Sequence, residues 1–498
     1  MRRKIEYVPL ARPIDTAGGR DLKLIEAEVH NLNNRRPLRD LADWGVVEMD
    51  SLIMSLRSRL SIELSYSLTT LTVLTSLPPD CRMVQLMACI DLLDELLDLI
   101  EDIAYPEGEQ EEGPNPIGSA ARNFSNRQLV NLVQETEGSP FAALQHGQGS
   151  KDPSLGPVQR PADLLLAITN ILRNMSIRPD NADIMANHPR CLDLLLRLCD
   201  IKVEGGLPRP VSKALSLSDV LSVRRDVLSI TAAAVFYLDL FAIPSGPKGI
   251  RITRRLFDLV CSYIVDPEGS VSPTAFIQQP GGAPNLGQRP PSLVDCALDM
   301  FTRLAFPDSN RQVISKIIPT SAFYPLLTSL VHRLPVTEAD FFLICHRSPM
   351  WLAHIERIVM SLYSIVFMAT PELKQRIRAD RSLGFKSVLM RLVRSMFQLV
   401  NAPNQPPDPN WTVCARRSVE TMKLLDRTED PFEKKEVDEP VLAFGMGFTD
   451  ADESTVEKGT GLLGGQLEMA WELLFLRDFC DNQQLFGELD SLMRVECQ

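Results

Sequence analysis

Residues able to do chemistry are few in this chain and poorly grouped. Of six histidines, only His346 and His354 come near each other, eight apart around Ser348-Pro349-Met350-Trp351. No cysteine or acidic ligand set stands beside them, so they read as surface or loop histidines and not as a metal site. No HExxH, zinc-type Cys/His spacing or GxSxG occurs. Gly246-Pro247-Lys248-Gly249 lacks the glycine spacing and the following Ser or Thr of a phosphate-cradling loop. Gly445-Met446-Gly447 sits in an acidic stretch and follows no strand, so it is no dinucleotide fingerprint. Asn123-Phe124-Ser125, Asn174-Met175-Ser176 and Asn410-Trp411-Thr412 match the glycosylation sequon, but no secretory signal accompanies them, and Asn174 falls where a helix should be buried. These residues point to no enzyme, no metal, no cofactor and no small-molecule substrate.

Charge clusters are the remaining handles. Residues 91–112 hold ten Asp and Glu and no Lys or Arg. Asp91, Asp94, Glu95, Asp98, Glu101 and Asp102 recur at helical steps beside Leu92, Leu93, Leu96, Leu97 and Ile100, which makes an amphipathic helix with an acidic outer face. That face is either simply solvated or a dock for a basic partner segment. Residues 374–394 hold seven basic residues, Lys374, Arg376, Arg378, Arg381, Lys386, Arg391 and Arg394, against Asp380 alone. Arg391 and Arg394 lie three apart on the polar side of a helix built by Val388, Leu389, Leu392, Val393 and Met396. This patch suits an acidic protein partner better than single-stranded nucleic acid, because no aromatics interleave with the charges.

The elements that carry these clusters are helical. Apolar residues make up 45% of 498 and charged residues 23%, a globular composition in which aromatics are only 6%. Leu dominates the apolar stretches, and an unbranched Cβ favours helix. Between Val46 and Leu77, Met49, Leu52, Ile53, Leu56, Leu60, Leu64, Leu71 and Leu74 mark the stripe of one long helix. Ile355, Ile358, Val359, Leu362, Ile365 and Val366 mark another between Leu352 and Met368. Gln466 to Phe479 holds Leu467, Ala470, Trp471, Leu474 and Phe475 and reads as a helix buried between neighbours. No long stretch alternates with the period of two.

Composition also bounds the setting. The net charge is −12, which disfavours non-specific nucleic-acid binding. Cys89, Cys199, Cys261 and Cys345 sit in Leu-rich stretches as small hydrophobes, and no CxxC occurs among ten cysteines. The start, Met1-Arg2-Arg3-Lys4, is not followed by an apolar signal region, and no run of 18 apolar residues exists; Ile230 to Ile243 is the nearest. A soluble intracellular protein without membrane contact is expected.

A repeat is visible from Ala167. An apolar helix ends near Asn174–Ile177, Pro179-Asp180-Asn181 turns the chain, a short helix covers Ala182–Ala186, and a Leu-rich helix closes at Leu192–Leu198. The order resembles an armadillo repeat. A second copy runs from Leu298 through Pro307-Asp308-Ser309-Asn310 to Tyr324–Leu330, and Asn310 follows Arg303 by seven as Asn181 follows Asn174. A third runs from Val359 to Met368, turns at Pro371 and closes with Phe385–Val393. The expected fold is an all-α, irregular armadillo-like helical-repeat solenoid. A segment of extended or short-helix character would occupy 1–45 and the repeat domain 46–498. Disordered insertions are expected near 105–122, 137–161, 267–292, 401–410 and 427–461, where Gly, Pro, Ser and acidic residues cannot bury enough apolar surface.

Arg3-Lys4-Ile5-Glu6-Tyr7-Val8-Pro9-Leu10-Ala11-Arg12, Ile14-Asp15-Thr16-Ala17-Gly18-Gly19-Arg20-Asp21-Leu22 and Arg36-Pro37-Leu38-Arg39-Asp40-Leu41-Ala42-Asp43-Trp44-Gly45 carry a resemblance. So does Leu56-Arg57-Ser58-Arg59-Leu60-Ser61-Ile62-Glu63-Leu64 with its continuation to Leu71. These stretches resemble the large AT-rich-interaction-domain subunit of the fungal SWI/SNF chromatin-remodelling complex, in the region C-terminal to its DNA-binding domain. The resemblance implies a nuclear, non-catalytic scaffold in transcription regulation, whose partners are other subunits of the remodeller. The compact DNA-binding domain of that family is not found in this sequence, so direct DNA binding is not carried over. An armadillo-type adaptor for transport or signalling, binding extended peptides, is the alternative. That class presents repeated Asn and Trp on the third helices of its repeats, and here Asn174 has no clear counterparts, which counts against it: Arg303 stands in the equivalent place in the second copy.

Overall fold

The computed structural model describes residues 16–17, 20–33, 47–76, 84–106, 124–137, 160–204, 207–243, 246–278, 289–346, 349–400, 409–427, 458–459, 461–463, 465–480, 482–494 and 496–497. Most of the expected insertions near 105–122, 137–161, 401–410 and 427–461, and most of the 1–45 segment, lie outside the described residues. Of 267–292 only 279–288 do, and there Pro273–Ile277 forms a short helix with Ile277 buried.

The molecule is an all-α helical-repeat solenoid. Its unit is a long helix, a short one set across it and a closing helix. Pro161–Ser176, Pro179–Asn187 and Cys191–Leu198 form one unit. Leu217–Ala234, the 3-10 turn Val235–Tyr237 and Pro247–Ile264 form the next. Ser292–Leu304, Asp308–Ile317 and Thr320–His332 follow, then Pro349–Met368, Pro371–Ala379 and Phe385–Val400. Before them stand Ser61–Ser76, the 3-10 turn Leu86–Ala88 and Ile90–Ala104, and after them Pro409–Asp426. Each long helix packs on the next, from Ser61–Ser76 to Pro409–Asp426 and finally Gln483–Met493, in an unbroken ladder.

Local sequence sets the unit. Pro179 and Pro371 occupy the first turn of their short helices, where a missing N–H costs nothing. The Ser216 hydroxyl accepts the Asp219 amide, and the Asp219 carboxylate accepts the Ser216 amide at 2.9 Å, closing a capping box before Leu217–Ala234. Within the ladder, Leu172, Val227, Phe301, Leu362 and Met422 are fully buried in one continuous core.

Three expectations are corrected. The single helix across Val46–Leu77 is two, Met49–Ser58 and Ser61–Ser76, broken where Arg59 takes φ +56. Ser58 drives the break: its hydroxyl donates to Ser55 O at 2.8 Å and accepts the Leu60 amide at 3.2 Å, displacing helical bonds and leaving Leu60 exposed. His354 is neither on the surface nor in a loop but 2% exposed within Pro349–Met368. Gln466–Phe479 is not buried all round: the helix ends at Leu474, and Trp471 and Phe475 face outward. A short antiparallel hairpin, Ile201–Glu204 with Leu207–Pro210, was not foreseen; its register pairs Ile201 with Pro210 and Glu204 with Leu207. Helix Pro349–Met368 is long and apolar enough to cross a membrane, but it lies mid-ladder against Ser292–Leu304 and Pro409–Asp426.

Candidate functional site

The acidic helix Ile90–Ala104 turns Leu92, Leu93, Leu96, Leu97 and Ile100 inward, which leaves its carboxylates on the outer face. Those carboxylates are engaged by neighbouring helices. Arg57 reaches Asp91 at 3.2 Å and Glu95 at 2.5 Å, and Arg59 reaches Asp102 at 3.1 Å. Arg190 lies 3.4 Å from Asp94, 2.7 Å from Asp98 and 3.5 Å from Glu101, and His188 Nε2 is 3.1 Å from Asp94. The face therefore laces three packed helices through exposed pairs of a kind that adds little to stability. A basic partner would have to compete with Arg57 and Arg190.

The basic cluster is not one patch. Lys374 is only 2% exposed, because helix Pro371–Ala379 turns Leu373, Lys374 and Ile377 inward; its ammonium donates to Arg427 O at 3.1 Å, which withdraws it from any surface role. Lys386 is likewise held, by both Asp426 oxygens at 2.7 and 2.8 Å and by Gly461 O. Arg376 lies over the Tyr324 ring at 3.7 Å. Arg394 pairs with Glu472 at 2.8 Å, and Arg391 is exposed, with Nη1 3.4 Å from Val336 O. Arg381 is exposed and Arg378 half-buried, and neither has an ion-pair partner among the described residues.

Two buried asparagines repeat one another atom for atom. Asn181 donates to Met175 O and Val84 O, both at 3.0 Å, and accepts the Leu86 amide at 2.9 Å. Asn310 donates to Leu304 O at 3.1 Å and Leu238 O at 3.2 Å, and accepts the Leu240 amide at 2.9 Å. Each staples its short helix to the corresponding turn of the preceding unit. Four residues before each stands an exposed apolar side chain, Ile177 and Phe306, and Phe236 takes the same corner in the unit between them. Arg303 lies over the Phe236 ring at 3.9 Å. The long-helix face above this row is knitted by ion pairs, Arg173 to Asp226 at 2.7 Å and Arg357 to Asp295 and Asp299 at 2.9 and 3.2 Å.

Sequence reasoning missed this corner row and the outward pair Trp471 and Phe475. The row had a signal, the shared four-residue step to Asn181 and Asn310.

No family model matches the chain. In sequence it is similar to SWI/SNF chromatin-remodeling complex subunit sol1 of Schizosaccharomyces pombe, at 25% identity over 234 residues. That match takes in 45% of this chain and 26% of the relative, so the chain spans about a quarter of that protein's length. Among solved structures, a computationally designed armadillo repeat protein for modular peptide recognition aligns over 74% of this chain and 99% of its own, at 12% identity and a TM-score of 0.31. A second designed armadillo repeat protein aligns over 70% and 99%, at 11% identity and a TM-score of 0.23.

Proposed function

We propose that this chain is a non-catalytic scaffold of a SWI/SNF-type chromatin-remodelling complex, nuclear and acting in transcription regulation by organising other subunits on its helical surface. The similarity to the fission-yeast subunit is the observation that carries the reading. The architecture supports it: a helical ladder with an exposed apolar row at one corner offers a long surface for protein contacts.

The test is purification of the tagged full chain from nuclei, with mass spectrometry of what accompanies it. Remodeller subunits, including the ATPase polypeptide, are expected in stoichiometric amounts, and recovery of unrelated proteins alone would sink the reading. The structure selects the residues for mapping. Charge reversal at Arg378, Arg381 and Arg391 leaves the core untouched and reports on docking. Reversal at Asp94 and Asp98 also breaks the pairs with Arg190, so it must be read beside an Arg190→Glu control.

A further inference from the structure

The exposed faces of a helical repeat are ordinarily polar. Here helix Gly465–Leu474 presents Trp471 at 52% exposure, and Phe475, just past its end, at 81%. The two rings stack, with centroids 6.5 Å apart and planes at 29°. Glu468 is exposed one turn before Trp471 and has no ion-pair partner among the described residues. Glu472 follows Trp471 and meets Arg394 of the neighbouring helix Phe385–Val400 at 2.8 Å. Positions 468, 471 and 472 share one side of the helix, and Phe475, just beyond it, stacks on Trp471, so two aromatic rings and two carboxylates stand together.

We propose that this face docks a basic segment of a partner protein, a Lys or Arg side chain lying on the Trp471–Phe475 pair with its charge toward Glu468 and an apolar neighbour covering the rings. Aromatic faces attract ammonium and guanidinium groups placed within about 6 Å, and an adjacent carboxylate adds to that attraction. A phosphate backbone is disfavoured by the same carboxylates. A second copy of the chain is disfavoured too, because a two-fold contact through this face would set Glu468 and Glu472 against themselves.

The proposal is independent of the remodeller reading and is tested on the full purified chain with two capped, labelled peptides of equal length. One alternates Arg with Leu and the other Glu with Leu. The Arg peptide should bind by fluorescence polarisation and the Glu peptide should not. Trp471→Ala, Phe475→Ala and Glu468→Lys should each weaken binding by about tenfold or more, with circular dichroism unchanged, as for centrally placed aromatic contacts. Added salt should weaken it as well. With Trp351 and Trp411 buried and Trp44 replaced in a Trp44→Phe background, protection of indole fluorescence from acrylamide by the Arg peptide, lost when Trp471→Ala is added, locates the contact. Equal binding of both peptides, or Arg-peptide binding indifferent to Trp471→Ala, overturns the proposal. So does a concentration-dependent dimer in sedimentation that Trp471→Ala abolishes, which assigns the face to a second copy.

Discussion

At the scale of single residues, the buried asparagines make the sharpest claims. Removing the Asn181 amide leaves Met175 O, Val84 O and the Leu86 amide without that partner, and Asn310→Ala does the same at Leu304 O, Leu238 O and the Leu240 amide. Each substitution should cost roughly 2–4 kcal/mol, since several buried polar groups are orphaned at once, and chemical denaturation of the two variants should give closely matched losses. Titration makes a second claim. Burial, helped by Arg333 and Arg357, holds the His354 imidazole below its ordinary 6.5, although Asp295 opposes it. The native state therefore prefers neutral His354. Its stabilisation is complete above pH 6.5 and is lost as pH falls through the lowered value. Hydrogen bonds from Ser382 and Tyr324 hold Asp380 at about 2, so its contribution persists above the usual carboxylate range and disappears between about pH 4 and 2. Because burial raises Asp200 to about 6, which acts in the opposite sense between pH 6 and 4, the check is made by difference. The urea-midpoint gap between the unsubstituted chain and His354→Gln should be constant from pH 8 to 7 and change below 6.5, and the gap to Asp380→Asn should change below 4. The spacing of Asn174, Asn181 and Asn310 was legible in the sequence. The burial of His354 was not, because what buries it comes from Asp295 and Arg333, distant in the chain.

At the scale of elements, periodicity located the helices because three- and four-residue apolar steps are a local property. It joined Met49–Ser58 to Ser61–Ser76 because both helices bury Leu at compatible spacings, and the break is made locally by Ser58 and Arg59. Arg59 holds a left-handed backbone. Arg59→Gly should be tolerated, whereas Arg59→Val should destabilise by about 1–2 kcal/mol, since a β-branched side chain resists positive φ; thermal melts of the two variants check this. The pattern likewise marked Trp471 and Phe475 as core. An apolar stripe shows that a helix face seeks cover, and it is silent on whether the chain itself provides that cover. The charge clusters were visible as composition, but their internal pairing, Arg190 across the acidic helix and Lys374 inside the unit, depends on which helices become neighbours.

At the scale of the whole molecule, nearest-neighbour packing governs behaviour. Among the described residues each unit packs chiefly on its neighbours along the ladder, so stability is approximately a sum of local terms and unfolding need not be all-or-none. Leu362→Ala, at a fully buried central position, should cost about 2–5 kcal/mol. It should separate the denaturation curve into more than one transition, whereas a single unbroken transition would show the ladder to be fully cooperative.

The asparagine staples have a mechanical corollary. Along the short-helix edge, Asn181 clamps one seam and Asn310 clamps the next but one, while Lys374 reaches forward across a third to Arg427 O. The seams between them carry no such clamp on that edge; Arg255 to Asp193 and Asp200 bridges one, and Arg376 on Tyr324 with Tyr324 on Asp380 marks the other. Along that edge, among the described residues, buried side-chain amides thus alternate with ion-pair and ring contacts, so Asn181→Ala and Asn310→Ala should each loosen one seam and leave the contacts of the next in place.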